Sequence, residues 1–454
     1  MLNLGLIRDL KPRNLKQRLE YNKWVRKINS SEFDSLSKTD EMQWSAVKLL
    51  LEHSFKFVPY YRNLLKSIGA NPNDFKSWSD FQKLPLLTKE IIRQNPKDFI
   101  SDLVDPRRLN LMTTGGSTGN PLGFFREPVM DKIERAFMYH QWGRVGYKEG
   151  ARRVILRGEP VKGGRLFYKH RFDNIWLMSS YHLSVDHIED YVSELNKIKP
   201  KFFHVYPTSF IIFTQLLIQS KLKLNFPIQA ILCGSEPILS YQRQLFEETF
   251  NTRVFSWLGQ AEGAILASEC EYSTNYHVWP QHSYVELINE NGENVKSKGL
   301  TGEIIGTTIN NYGSPFIRYK TGDLAVYESD HCPKCKRNFL VLGEIKGRGQ
   351  DQIFLEDGRR IPLTAITFGL HFEAYKKVSK MQVVQKRPGE ITILISTIKN
   401  ILFDELDEIE ISTKMKNAVG GMLEINFVYS DDLMRTKNGK HIYFIQEIND
   451  ITNA

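Results

Sequence analysis

The chain of 454 residues contains only four cysteines, too few for the disulfide framework of a secreted protein of this length. No run of about 18 apolar residues occurs, which argues against a membrane-spanning helix. Zinc-finger spacing, an RNP motif and a strongly basic stripe are all missing, so no nucleic-acid partner is expected. No Ser-His-Asp or Cys-His arrangement can be argued from spacing, and the glycine-rich stretch lacks the lysine of a Walker loop. The first twenty residues, MLNLGLIRDLKPRNLKQRLE, are charged almost from the start and carry no apolar signal core, so a cytoplasmic location is expected.

What is present bounds the chain further. A hydrophobic fraction of 41% fills ordinary cores, and the length exceeds what one core usually organises, so two or more domains are expected. Residues 1–30 hold eight Lys/Arg against Asp9 and Glu20, a net +6. With Leu10, Leu15, Leu19 and Trp24, this segment suits either peripheral contact with the inner membrane face or a solvated helix packing a few apolar side chains on the body.

From Ser31 to about Lys83 the pattern is helical and amphipathic, and Thr88 reads as a helix cap. Beyond Asp131, strands and helices alternate: ARRVILRG, KFFHVYPTSFIIFTQLLIQS and PIQAILCGSEPIL. This implies an α/β fold with a mainly parallel sheet, with ligands at the strand C-terminal ends. The glycine-rich stretch and Gly234-Ser235-Glu236-Pro237 are both expected at such ends. From Tyr284 to Tyr327 the chain turns β-rich, and a charged helix is expected from Asp404 to Asn417.

The stretch LMTTGGSTGNPLGFF, Leu111 to Phe125, sets four glycines among four hydroxyl residues. Glycine lets backbone N–H groups approach an anion, and Thr113, Thr114, Ser117 and Thr118 add hydroxyl donors. Alone it suits an ordinary turn as well. In order along the chain, however, Thr114-Gly115-Gly116-Ser117-Thr118-Gly119-Asn120-Pro121, Gly234-Ser235-Glu236-Pro237, Leu258-Gly259-Gln260-Ala261-Glu262, Arg318-Tyr319-Lys320-Thr321-Gly322-Asp323, Gly347-Arg348-Gly349-Gln350-Asp351-Gln352-Ile353 and Arg435-Thr436-Lys437-Asn438-Gly439-Lys440 resemble the successive motifs of the adenylate-forming superfamily. The form is that of its phenylacetate–CoA ligase and CapK branch. Gly115, Asn120, Leu258, Ala261 and Gln350 depart from the usual residues, and with Leu258 at the aromatic position, stacking on adenine is left to Trp257 or lost.

The resemblance implies a large N-terminal domain over 1–346, with mixed, mainly parallel sheets, a β-rich part and a helical beginning at 1–83. A small mobile α+β lid follows over 347–454. It implies ATP bound by Thr114, Gly115, Gly116, Ser117, Thr118 and Gly119, by Gly234, Ser235, Glu236 and Pro237, and by Asp323 and Arg348. Glu262 would help hold Mg²⁺ against the phosphates, Lys440 would be the catalytic cation, and Gln350 and Asp351 would form the hinge. The implied reaction is activation of a small-molecule or glycan-linked carboxylate as an acyl-adenylate, then transfer to CoA or an amine, in a surface-polysaccharide pathway. An aryl-acid CoA ligase and a non-catalytic nucleotide-binding scaffold are the alternatives.

Cys332-Pro333-Lys334-Cys335 is a C-x-x-C pair, compatible by itself with zinc or dithiol redox chemistry. Cys270 and His277 supply a second half-site, so a Cys₃His structural zinc centre is expected, with His331 in reserve. Cys233 lies in an apolar strand and reads as a core residue.

Overall fold

The structure, a computed structural model, describes residues 12–113, 122–157, 161, 165–170, 173–180, 182–236, 238, 240–348, 352–367, 372–397, 401–435 and 441–448. These divide by contact into two compact units. The first takes in 12–113, 122–149 and 255–345; the second takes in 150–254 and the chain from 346 onward.

The chain begins in the first unit with helices α1 (Pro12–Ser31), α2 (Leu36–Phe57) and α3 (Pro59–Ser67). Trp24 and Ile28 of α1 are buried, Trp24 against Phe137 at 5.5 Å between ring centroids. Ser35 caps α2 by accepting the N–H of Lys38, and Thr88 caps the short helix Lys89–Gln94, as its position predicts. Strands β1 (Asn110–Thr113) and β2 (Gly123–Arg126) follow, then α4 (Met130–Trp142). β1 and β2 pair antiparallel, with Thr113 opposite Gly123. The glycine-rich stretch therefore joins the arms of a hairpin and does not leave a parallel strand. The nine residues between the strands suffice to close an antiparallel pair, whereas a parallel return needs a longer crossover.

In the second unit the strands are β3 (Arg153–Leu156), β4 (Phe167–Lys169), β5 (Ile175–Met178), β6 (Phe202–Val205) and β7 (Ala230–Gly234). Helices α5 (Ile188–Ile198), α6 (Pro207–Gln219) and α7 (Ser240–Phe250) alternate with them. Their order is β7-β6-β3-β5-β4; β7, β6, β3 and β5 run parallel, and β4 closes the edge antiparallel. β6 and β7 are buried at every position, as expected for parallel strands covered on both faces. Ile188, Tyr191, Val192, Leu195 and Ile198 line the buried face of α5 at helical spacing. Cys233 lies in this core.

The return to the first unit brings β8 (Arg253–Gly259), β9 (Leu266–Cys270), β10 (Ser273–Val278), β11 (Tyr284–Ile288), β12 (Thr301–Thr307), β13 (Tyr319–Ser329) and β14 (Val341–Arg348). They are ordered β11-β12-β13-β14-β10-β9-β8, the β-rich part that the sequence predicts.

Back in the second unit, β15 (Gln352–Phe354) and β16 (Arg360–Pro362) form a hairpin. Strands β17 (Val378–Arg387), β18 (Glu390–Thr397), β19 (Glu424–Tyr429) and β20 (Phe444–Gln446) make a separate sheet of order β19-β18-β17-β20. Helix α8 (Glu405–Ala418) has the charged sequence expected of it, and Asp404 starts it with a reciprocal capping box to Asp407. Among the described residues no helix is long and apolar enough to cross a membrane.

Candidate functional site

In the first unit two motif segments meet. The loop leaving β8 carries Gln260 and Glu262, and β13 carries Tyr319 and Asp323. The Gln260 side-chain amide donates to the Asp323 carboxylate, and the Asp323 N–H donates to Thr321 Oγ1 at 3.1 Å. The Tyr319 hydroxyl donates to Glu262 Oε1 at 2.9 Å, and both side chains are buried. Among the described residues Glu262 Oε2 takes no hydrogen bond. Gly306 on β12 makes this packing possible: a Cβ there would lie 2.1 Å from the Ala264 carbonyl oxygen, so only glycine lets the loop settle on the strand.

Gln260 and Tyr319 hold the expected site residues in place and were not themselves picked out from the sequence, although both lie inside the matched motifs. Gln260 Oε1 is buried without a partner. An orphaned acceptor beside a carboxylate suits the hydroxyl donors of a ribose. Trp257 does not serve for stacking on adenine, because it is buried against Trp142 at 5.4 Å between centroids. Arg318 is structural: Nε and Nη2 each reach Glu286 at 3.1 Å, and Nη1 donates to the carbonyls of Gln82 and Leu84.

In the second unit Gly234 ends β7 and Ser235 follows in the left-handed region, φ +67°. Glu236 turns Oε2 to the N–H and hydroxyl of Thr208, at 3.2 and 2.8 Å, which places a carboxylate on the N-terminus of α6. Arg157, just beyond β3, donates to Ser235 Oγ at 2.8 Å.

The metal expectation falls wholly within the first unit. The ligand atoms of Cys270, His277, Cys332 and Cys335 all lie within 4.8 Å of one another, the set and spacing that a tetrahedral zinc takes. Burial, followed by Arg144 and Arg337, pushes the His277 imidazole down to about 3, so it is neutral and offers a lone pair. Burial pushes the Cys270 thiol up to about 11. Cys332 is shifted the other way: burial raises its thiol, but hydrogen bonds from the backbone of Cys335 and Lys334 outweigh that burial and lower it.

Thr114, Gly115, Gly116, Ser117, Thr118, Gly119, Pro237, Gln350, Asp351 and Lys440 lie outside the described residues. Arg348 closes β14, with its backbone alone described.

No family model matches the chain. It is 24% identical to phenylacetate–coenzyme A ligase of Escherichia coli (strain K12), over 72% of this chain and 75% of that protein. It is 23% identical to Protein CapK of Staphylococcus aureus, over 82% of this chain and 81% of that one. Among solved structures, 2-hydroxyisobutyryl-CoA ligase in the postadenylation state matches with a TM-score of 0.72 at 17% identity, over 91% of both chains. Ordered motifs, fold and relatives together place the chain among the adenylate-forming ligases, in the branch of phenylacetate–coenzyme A ligase and CapK.

Proposed function

We propose that this chain uses ATP to activate a carboxylic acid as an acyl-adenylate, and then passes the acyl group to CoA or an amine in a surface-polysaccharide pathway. The observation that carries the proposal is the pair of carboxylates at neighbouring motif segments, Asp323 held by Gln260 and Glu262 held by Tyr319. A carboxylate is a poor electrophile at neutral pH. Attack of its oxygen on the α-phosphorus of ATP forms one O–P bond and breaks another, releasing pyrophosphate, and such a step depends on positioning and charge neutralisation.

In this account Asp323 accepts the ribose hydroxyls, Gln260 fixes its orientation, and Glu262 keeps an oxygen for Mg²⁺, which would neutralise phosphate charge. Residues 114–119, Gly234 to Pro237 and Arg348 complete the nucleotide site, and Lys440 steadies the charge between carboxylate and α-phosphate. Residues 347–454 act as the lid, turning about Gln350 and Asp351; Gly347, at φ +82°, has the backbone freedom such a pivot uses. The Cys₃His cluster holds a structural Zn²⁺. CoA as acceptor is supported by the relatives named as CoA ligases, and the polysaccharide pathway rests on the motif resemblance to the CapK branch alone. Peripheral membrane contact of a cytoplasmic enzyme through residues 1–30 rests on their charge, since Trp24 and Ile28 are committed to the core.

ATP–pyrophosphate exchange across a panel of aromatic, uronic, dicarboxylic and amino acids tests the proposal. Exchange with one acid is expected, abolished by Asp323→Ala and sharply reduced by Lys440→Ala. No exchange with any acid, coupled with no ATP binding, would instead favour the non-catalytic scaffold, to which the departures at Gly115, Asn120, Leu258 and Gln350 already point.

A further inference from the structure

The turn that ends α1 sits on the knuckle that carries two of the metal ligands. Glu32, directly after α1, is buried, and its Oε1 accepts from Arg337 Nε at 2.7 Å. Arg337 lies two residues past Cys335 and is buried as well. Its Nη1 and Nη2 grip Glu271, the neighbour of Cys270, at 2.7 Å each. One guanidinium therefore joins the flanks of both cysteine half-sites to the end of α1, and its planar fork holds a carboxylate in one orientation. Around it, Asn338 Nδ2 donates to the Asp34 carbonyl at 2.9 Å and Gln281 Nε2 to Ser31 Oγ at 3.0 Å. The Arg337 guanidinium also lies 5.1 Å from the Phe33 ring centroid.

On its other side Glu32 Oε2 meets His140 Nε2 of α4 at 3.2 Å. α1 packs along α4, with Trp24 on Phe137, yet among its described side chains only Trp24 and Ile28 are buried. Two apolar anchors give a helix of twenty residues little to hold it, since an isolated helix of that length is marginal in water. The contacts at its C-terminal end therefore matter, and they depend on where Arg337 stands. The Cys332 N–H donates to the Arg337 carbonyl and the Lys336 N–H to the Cys332 carbonyl, both at 2.9 Å. Lys336 sits in the left-handed region at φ +66°, a conformation that a lysine keeps only where its surroundings impose it. The ligand atoms of Cys332 and Cys335 face those of Cys270 and His277, so a shared ion would tie this turn to the strands behind it by bonds that free thiols do not make.

We propose that Arg337 and Glu32 couple the metal centre to α1. With an ion held by Cys270, His277, Cys332 and Cys335, Arg337 keeps Glu32, and α1 with it, seated on α4; without the ion α1 comes free and exposes Trp24 and Ile28. The inference rests on the structural Zn²⁺ proposed above and goes beyond it, because a zinc of local effect would brace the knuckle alone. Arg337 and Glu32 are positioning residues in this account, and neither is a ligand.

Hydrogen exchange read by mass spectrometry on the full chain, zinc-loaded and chelator-treated, tests it, with zinc counted by elemental analysis in every sample. In the wild type, removing the ion should speed amide exchange over residues 18–31 by about tenfold, the loosening expected from loss of a charged hydrogen bond. Exchange in β6 and β7 of the second unit should stay within about twofold. Glu32→Gln keeps all four ligands and should retain one zinc per chain, yet exchange about tenfold faster over 18–31 with the zinc in place. Chelator should then add less than about twofold in that variant, because the link it breaks is already gone.

Unchanged exchange over 18–31 in the chelated wild type would overturn the inference and leave a local structural zinc standing. A full further tenfold on chelating Glu32→Gln would overturn the route through Arg337 and Glu32. Equal acceleration in β6 and β7 would overturn it by making the metal a support of the whole fold. A wild-type protein that holds no zinc and takes up none would overturn the structural zinc itself, and this inference with it.

Discussion

Arg318 and Asp323 belong to one six-residue motif and do different work. Asp323, within β13, faces its partner Gln260, whereas Arg318 is turned inward against Glu286, with both side chains nearly inaccessible to solvent. Removing one partner of a buried pair strands the other charge, so Arg318→Leu should cost about 3 kcal/mol of stability, read as a fall in the urea midpoint. Adding Glu286→Leu should recover much of that loss. A single variant as stable as the wild type would contradict the structural role. The sequence made Asp323 and Glu262 legible because a motif preserves residue types at fixed spacing. It left Gln260 and Tyr319 unassigned because their partners lie 63 and 57 residues away, and tertiary pairing of that range leaves no mark on local pattern. Arg157 escaped for the same reason: its partner Ser235 lies 78 residues away.

Among elements, those with strong local signals were legible. Thr88 and Asp404 cap helices as their residue types favour, and Ile188 to Ile198 shows its buried face in its spacing. β1 and β2 carry four residues each, too short for periodicity to distinguish a hairpin from two crossover strands, and there the expected parallel placement was wrong. The knuckle at Cys332 to Cys335 is an element whose partner could be foreseen, since metal-ligand spacing is itself a long-range signal. Its Cys332 N–H donates to the Arg337 carbonyl at 2.9 Å, shaping the turn. Purified protein should hold one zinc per chain by elemental analysis. Cys335→Ser should lose the metal and lower the melting midpoint by about 5 °C. A metal-free wild-type protein that melts unchanged in chelator would contradict a structural zinc.

At the scale of the molecule, the described residues twice leave the first unit for the second, an interleaving that composition and periodicity do not encode. Its stability should also depend on pH in a set direction. Burial, then Arg126, pushes the His282 imidazole down to about 3, whereas an unfolded histidine titrates near 6.5. Between those values the unfolded chain binds the extra proton, so stability is complete above about pH 6.5 and is lost as pH falls toward 3. Burial raises the Glu32 carboxyl, but His140 and Arg337 outweigh it and hold it at about 2. Its contribution is likewise present above its unfolded value and lost as pH falls toward 2. The urea midpoint should therefore drop between pH 7 and pH 5, and His282→Gln should flatten that slope; an unchanged slope would contradict the buried neutral imidazole.

The central claim, that the two carboxylate loops serve acid adenylation, meets its most direct test in the product itself. The protein is incubated with ATP, Mg²⁺ and the acid that supports exchange, without any acceptor, and the mixture is read by mass spectrometry. The account predicts an acyl-adenylate approaching one per chain, with equivalent pyrophosphate, and its absence in Asp323→Ala. Formation of ADP and phosphate, or an acyl-adenylate undiminished in the variant, would contradict it.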